Sequence, residues 1–231
     1  MKNDGQSVAK LAVVGHRGVR GLAPENTLAA IRKALEHGVD EIEVDIHITR
    51  DNIAVLCHNP WIRDQTGATF PVNRTDLATL QQHKPNLPTL AEAIKLIDQR
   101  VPLQMEVKWG EPTKPVITLL QKFLKDGWQA EDFLLGSKQQ RILLELHRAL
   151  PRIPMVVIEP YLSIRAVWRA RQLNSRRLSM NQIGLWPGFI RAMQRRGYSL
   201  YAYTLNDPAK ARRWQQHGLR GVITDRPDLF S

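Results

Sequence analysis

The property that most restricts the fold is a rhythm. Short apolar strands centred near residues 13, 44, 105, 134, 156, 178, 202 and 223 are separated by stretches with helical patterning. The helical stretches run from a cap at Asn26 or Thr27 to Gly38, from near Thr89, and over 113–126, 138–149, 161–172, 187–196 and 208–217. Parallel strands need crossover connections that return the chain to the same edge, and helices supply them. Eight such strands predict an α/β chain of the (β/α)8, or TIM-barrel, class. A doubly wound sheet is the alternative. At 231 residues the chain is expected to form one domain over 1–231. The segment approximately 50–90 reads as an insertion after the second strand: a turn at Asp51-Asn52, a further strand over IAVLCH (53–58), and loop-like sequence over 59–88 punctuated by Pro60, Gly67, Pro71, Pro85 and Pro88. The first ten residues are polar and are expected to fray.

No stretch approaches the roughly 18 apolar residues of a membrane span. The N-terminus lacks the apolar core and cleavage site of a secretory signal. The one cysteine, Cys57, excludes an internal disulfide framework, so a cytoplasmic location is expected. The net charge is +11, and its excess lies wholly in the second half: residues 1–110 hold 13 basic and 13 acidic side chains, residues 111–231 hold 20 and 9. Such a surface attracts anions, whether a small substrate, lipid head groups or nucleic acid. Solubility alone is the plainer reading. Basic clusters at Arg165, Arg169, Arg171, Arg176 and Arg177, and at Arg191, Arg195 and Arg196, read as solvated helix surface. No zinc finger or recognition helix stands out, so no specific nucleic-acid partner is expected.

Two strands break the usual pattern. Buried parallel strands are normally apolar on both faces. Segment 41–48 instead alternates, with Ile42, Val44, Ile46 and Ile48 on one face and Glu41, Glu43, Asp45 and His47 on the other. Segment 103–108 repeats the pattern with Gln104, Glu106 and Lys108. Exposed antiparallel edges would explain either strand alone. Two of them within a barrel rhythm point to a site, because buried carboxylates are costly unless paired or metal-bound. Glu43, Asp45 and Glu106 offer hard oxygen donors suited to one divalent cation, Mg²⁺ or Ca²⁺, with Mn²⁺ also compatible. No close histidine–cysteine cluster suggests zinc.

His16 ends the first strand, where barrel enzymes place catalytic groups, between Gly15 and the nearby Gly18. His58 likewise follows an apolar run. Two histidines beside a metal can serve as general acid and base near neutral pH. His37, His83, His147 and His217 read as structural or surface residues, and His47 has only its shared strand face to commend it. Cys57 reads as a packed thiol. Arg17 and Lys108 suit a phosphoryl group.

These residues fall into ordered blocks: GHRG from Gly15, PENT at Pro24–Thr27, Glu43-x-Asp45, His58, LPTL at Leu87–Leu90, Glu106-x-Lys108, YTLND at Tyr203–Asp207 and GVITDRPD at Gly221–Asp228. In that order, over roughly residues 12–229, the chain resembles the glycerophosphodiester phosphodiesterase family. The resemblance implies a TIM barrel with an insertion after the second strand. It also implies metal-dependent hydrolysis of glycerophosphodiesters, such as glycerophosphocholine and glycerophosphoethanolamine, to sn-glycerol 3-phosphate and an alcohol. Mapped by motif, Glu43, Asp45 and Glu106 are the metal ligands, His16 and His58 the acid–base pair, and Arg17, Lys108 and Glu25 the substrate-binding residues. The family chemistry has the glycerol 2-hydroxyl attack phosphorus, giving a cyclic phosphate that water opens. Three departures stand out. Asn59 replaces the usual aspartate, Asp64 and Gln65 an arginine and threonine, and Tyr203 a tryptophan.

The resemblance leaves two further readings. One is the same chemistry on a lysophospholipid, with Trp61, Ile62 and Phe70 lining an apolar groove and weak membrane-surface association. The other is a barrel that binds phosphate without turnover. The sequence carries no reading of oligomeric state.

Overall fold

A computed structural model describes residues 10–160 and 163–230. Residues 1–9, which include most of the expected frayed terminus, lie outside the described residues, as does the expected start of a helix at 161–162.

The chain forms β1 (Ala12–Gly15), α1 (Leu28–Glu36), β2 (Glu41–Ile48), β3 (Ala54–Leu56), β4 (Trp61–Arg63), β5 (Thr69–Pro71), α2 (Leu77–His83) and α3 (Leu90–Ile97). It continues through β6 (Leu103–Val107), α4 (Lys114–Lys125), β7 (Phe133–Ser137), α5 (Gln140–Ala149), β8 (Met155–Glu159) and α6 (Ser163–Gln172). It finishes with β9 (Arg177–Asn181), α7 (Pro187–Arg195), β10 (Ser199–Tyr203), α8 (Pro208–Gln215) and β11 (Gly221–Thr224). Strands β1, β2, β6, β7, β8, β9, β10 and β11 pair in that order, all parallel, and β11 closes onto β1. The result is a closed eight-stranded TIM barrel.

The helices start where local chemistry starts them. Thr27 caps α1 by accepting the Ala30 N–H, and Gly38 follows its end at φ 63°. Thr89 and Glu92 form a reciprocal capping box on α3. Outward-facing Ile42, Val44 and Ile46 of β2 then join Ile31 and Ala34 of α1, and Leu90 and Ile94 of α3, in the main core.

The strand expected at 53–58 forms as β3, and the segment after it is more ordered than its loop-like sequence predicts. β3 pairs antiparallel with the end of β2, β4 and β5 make a hairpin, and α2 follows. These pieces pack on a small separate core of Val55, Cys57, Ile62, Val72, Leu80 and Leu87. Strands of three residues and a helix of seven are too short to show a period in the sequence. Ile62 is thus core, and Phe70 stacks on His83 at 3.6 Å, which leaves Trp61 as the exposed member of the expected apolar trio.

All eight residues of β2 are buried, so its polar face is the barrel interior. Depth along the strand divides the work. At the base, Glu41 takes a two-pronged bond from Arg177 across the barrel, one prong at 2.9 Å. Arg177 also lies 3.8 Å over the Tyr201 ring. Arg177 is therefore an interior plug and not part of a basic surface. Arg169 is likewise buried, donating to the Ile158 and Ser137 carbonyls and to Glu159. The first expected arginine cluster is broken up by these two burials. Among the described residues no helix is long and apolar enough to cross a membrane.

Removing one partner of a buried ion pair strands the other. Arg177→Met should lower unfolding free energy by about 3–5 kcal/mol in urea titrations. The Glu41→Leu/Arg177→Met double variant should recover part of that loss. A single-variant cost below about 1 kcal/mol would mean that the pair does not hold the barrel base.

Candidate active site

The site begins in the tight turn after β1. Arg17 and Gly18 adopt φ 53° and 81°. A Cβ at Gly18 would lie 2.6 Å from the Ala30 Cβ, so glycine lets the turn press against α1. The Gly18 N–H donates to the Glu43 carbonyl at 3.0 Å, and the Arg17 N–H donates to the Glu43 carboxylate at 3.0 Å. The turn is thereby clamped to β2.

The PENT block does the same from the other side. Asn26, at φ 54°, donates through Nδ2 to Asp45 and accepts the Asp45 N–H through Oδ1, both at 3.0 Å. Glu25 accepts from the Arg17 guanidinium at 2.8 Å. It lines the groove outside the pocket, not the pocket itself. Thr27 caps α1.

Parallel register sets Asp45 of β2 beside Glu106 of β6. Glu43, Asp45 and Glu106 each present an oxygen within 4.8 Å of the others, and all three are buried. Lys108 pairs with Asp45 and lies 3.1 Å from Glu106, Lys138 bonds Glu106 at 2.7 Å, and Arg17 Nε lies 3.1 Å from Asp45. The cations do not serve the three acids equally. Burial and the neighbouring Asp45 push Glu43 up to about 7, although His16 opposes the rise. Burial would raise Asp45 as well, but Lys108 and Arg17 overcome it and hold that carboxyl down at about 2. Burial would depress Lys108, yet Asp45 and Glu106 keep it above its ordinary value and charged. The pocket thus holds one strained carboxyl among paired ones. A hard divalent cation satisfies such a donor set, so these residues fit one.

His16 and His58 both line this pocket of about 190 Å³, with Arg17, Lys108, Lys138, Asn181 and Tyr203. His16 Nδ1 lies 2.6 Å from Asp225, whose other oxygen accepts from Asn206 at 3.2 Å. Burial would raise Asp225, but the His16 contact holds it below the ordinary carboxylate range. A carboxylate on Nδ1 fixes the ring so that Nε2 is left for chemistry. His58 has only the neutral Asn59 amide, 3.1 Å from its Nδ1. Burial holds this imidazole below its ordinary value; Asp45 opposes, while Lys108 and Arg17 reinforce. His58 also borders a second groove of about 560 Å³, lined by Trp61, Arg63, Asp64, Lys84 and others from the β3–α3 segment.

Sequence reasoning passed over several of these residues. Asp225 and Lys138 each directly follow a barrel strand, so the strand-end rule that found His16 could have found them. His47 was different. Its Nδ1 lies 2.6 Å from Glu111 and its Nε2 lies 3.3 Å from the His58 carbonyl, which ties β2 to the His58 turn. Glu111 is 64 residues away, and nothing local announces the pairing. The Cys57 thiol donates to the Asn59 carbonyl at 3.3 Å, and burial pushes it up to about 12, so it packs and does not react. Asp64 does not enter the pocket; it binds Thr66, the Ala68 N–H and His83 and shapes the hairpin turn.

Comparison with known proteins identifies the family. A glycerophosphodiester phosphodiesterase of Caldanaerobacter subterraneus subsp. tengcongensis is 25% identical over 96% of each chain. A human lysophospholipase D is 25% identical over 93% of this chain and 83% of its own length. Among solved structures, an Oleispira antarctica phosphodiesterase in complex with its product sn-glycerol 3-phosphate superposes with a TM-score of 0.82. It is 26% identical and is covered over 93% of its chain, against 94% of this one. The family model for the glycerophosphoryl diester phosphodiesterases matches residues 16–229, and the chain belongs to that family.

Proposed function

We propose that this barrel hydrolyses glycerophosphodiesters, glycerophosphocholine and glycerophosphoethanolamine among them, to sn-glycerol 3-phosphate and an alcohol. The observation that carries the reading is the convergence of three buried carboxylates with His16 and His58 on one pocket. The product bound to the Oleispira relative supports the substrate class.

In this reading Glu43, Asp45 and Glu106 hold one divalent cation, Mg²⁺ or Ca²⁺, with Mn²⁺ compatible. The cation supplies charge to offset that developing on the phosphoryl oxygens. Arg17 and Lys108 bind and orient the phosphate, each kept in place by carboxylates. Glu25 acts indirectly by holding the Arg17 guanidinium.

His16, oriented by Asp225, accepts the proton from the attacking glycerol 2-hydroxyl. The new O–P bond closes a five-membered cyclic phosphate as the bond to the leaving oxygen breaks. His58 stands where the pocket meets the outer groove, and it protonates the leaving alcohol there. Burial lowers its pKa, so its imidazolium is a stronger acid than an ordinary one. Water then opens the cyclic phosphate with the proton roles reversed. The outer groove receives the alcohol. Its polar rim suits a small head group better than an acyl chain, which favours glycerophosphodiesters over the lysophospholipid reading. The chain acts as one catalytic domain over 1–231, the β3–α3 segment forming the groove wall.

The test is release of glycerol 3-phosphate from a panel of glycerophosphodiesters by protein stripped of metal and resupplied with Mg²⁺, Ca²⁺ or Mn²⁺. Release should depend on a cation and disappear in His16→Ala and Glu43→Ala. Metal-independent release would contradict the proposal, as would binding of glycerol 3-phosphate with no turnover on any diester. Asp225→Asn should lower kcat by on the order of 10²–10⁴ with little change in KM, because it removes orientation and charge but no phosphate contact. Steady-state kinetics would refute the orienting role if KM alone rose. Asn59→Asp sets an anion beside His58 and favours imidazolium, so the alkaline limb of kcat/KM should move to higher pH. An unmoved limb would assign that titration to another group.

A further inference from the structure

Eight large apolar side chains stand exposed among the described residues: Ile53, Trp61, Trp109, Ile164, Trp168, Ile183, Trp186 and Leu229. Their distribution is not even. Trp109 follows β6, Ile164 and Trp168 lie in the first turns of α6 after β8, and Ile183 and Trp186 follow β9. In a parallel barrel every strand's C-terminal end lies on the same face. These five residues therefore stand on an arc of the rim around the active-site mouth, beyond the consecutive strands β6 to β9. Trp109, Ile164 and Ile183 are 71%, 85% and 89% exposed, which places them well outside any contact within the fold. Ile164 and Trp168 share a helix face at i, i+4.

The exposed charge on the same arc is mostly basic. Lys114, Lys138, Arg141 and Arg165 stand on it, and the last three also pair with Glu106, Glu145 and Glu159 in turn. Of the acids near them, Glu106, Glu159 and Glu111 are buried, the last against His47, and Glu145 is partly exposed. Apolar tips beside a net excess of exposed cations match the interfacial region of a bilayer. Indole and aliphatic tips enter the head-group layer there, and basic side chains meet anionic lipid.

We propose that this arc docks the barrel mouth onto an anionic membrane surface. The inference rests on the fold and the exposed side chains, not on the reaction assigned above.

The full chain should co-sediment with phosphatidylcholine vesicles containing phosphatidylglycerol and not with phosphatidylcholine alone, and added salt should weaken the binding. Brominated lipid should quench tryptophan fluorescence in the bound state. The Ile164→Ser/Ile183→Ser/Trp186→Ser variant should bind at least about tenfold more weakly. Its turnover of a soluble glycerophosphodiester should be unchanged, since none of the three lines the pocket. Absence of vesicle binding, or binding undiminished in the variant, would overturn the proposal. A stable wild-type dimer by light scattering that the same substitutions dissociate would also overturn it, assigning the arc to a second copy. Vesicle binding by a protein without diester turnover would instead count against the reaction and leave the docking in place.

Discussion

Glu43, Asp45 and Glu106 crowd three buried carboxylates within 4.8 Å at the mouth of the barrel, and much of the surrounding structure can be understood as a response to their mutual repulsion. Burying like charges together is costly unless each finds a counter-charge or gives up its ionisation. Lys108 and Arg17 satisfy Asp45, and Lys138 and Lys108 satisfy Glu106. Glu43 receives the Arg17 backbone N–H but no direct cation, and it gives way by rising to about 7. A divalent cation would restore the balance. The same arrangement leaves Arg17 and Lys108 at the pocket wall with their charge intact, suited to a phosphate.

Holding those charges in place requires the loops to be rigid. The turn at Arg17 and Gly18 and the PENT block at Pro24–Thr27 bind the first two strands through Glu43 and Asp45. At the base of the barrel the Arg177–Glu41 pair fills the interior that the mouth leaves open. Polar residues on β2 thus serve two ends of one cavity, stability below and chemistry above, a division that parallel barrels make generally.

The barrel was legible in the sequence because each of its eight strands carries enough apolar residues to show its position, and each helix between them enough period. Strand alternation also placed Glu43 with Asp45 on one face and Glu106 on another. Register, which sets Asp45 beside Glu106, is a tertiary fact that alternation does not carry. The hairpin of β4 and β5 was hidden because three-residue strands have no period to read. Arg169 and Arg177 looked like surface charge because a buried arginine is recognised by its partners, here distant carbonyls and acids. His47 was hidden for the same reason, its partner Glu111 being local only in space. Asn59, by contrast, was visible as a departure, and the structure gives it a physical meaning as the uncharged neighbour of His58.

The central claim is that these three carboxylates make one cation site. Anomalous scattering from crystals grown or soaked with Mn²⁺ addresses it most directly. The account predicts a single strong peak bounded by oxygens of Glu43, Asp45 and Glu106, lost in Glu43→Ala. A Mn²⁺ peak elsewhere with none among these oxygens would contradict it.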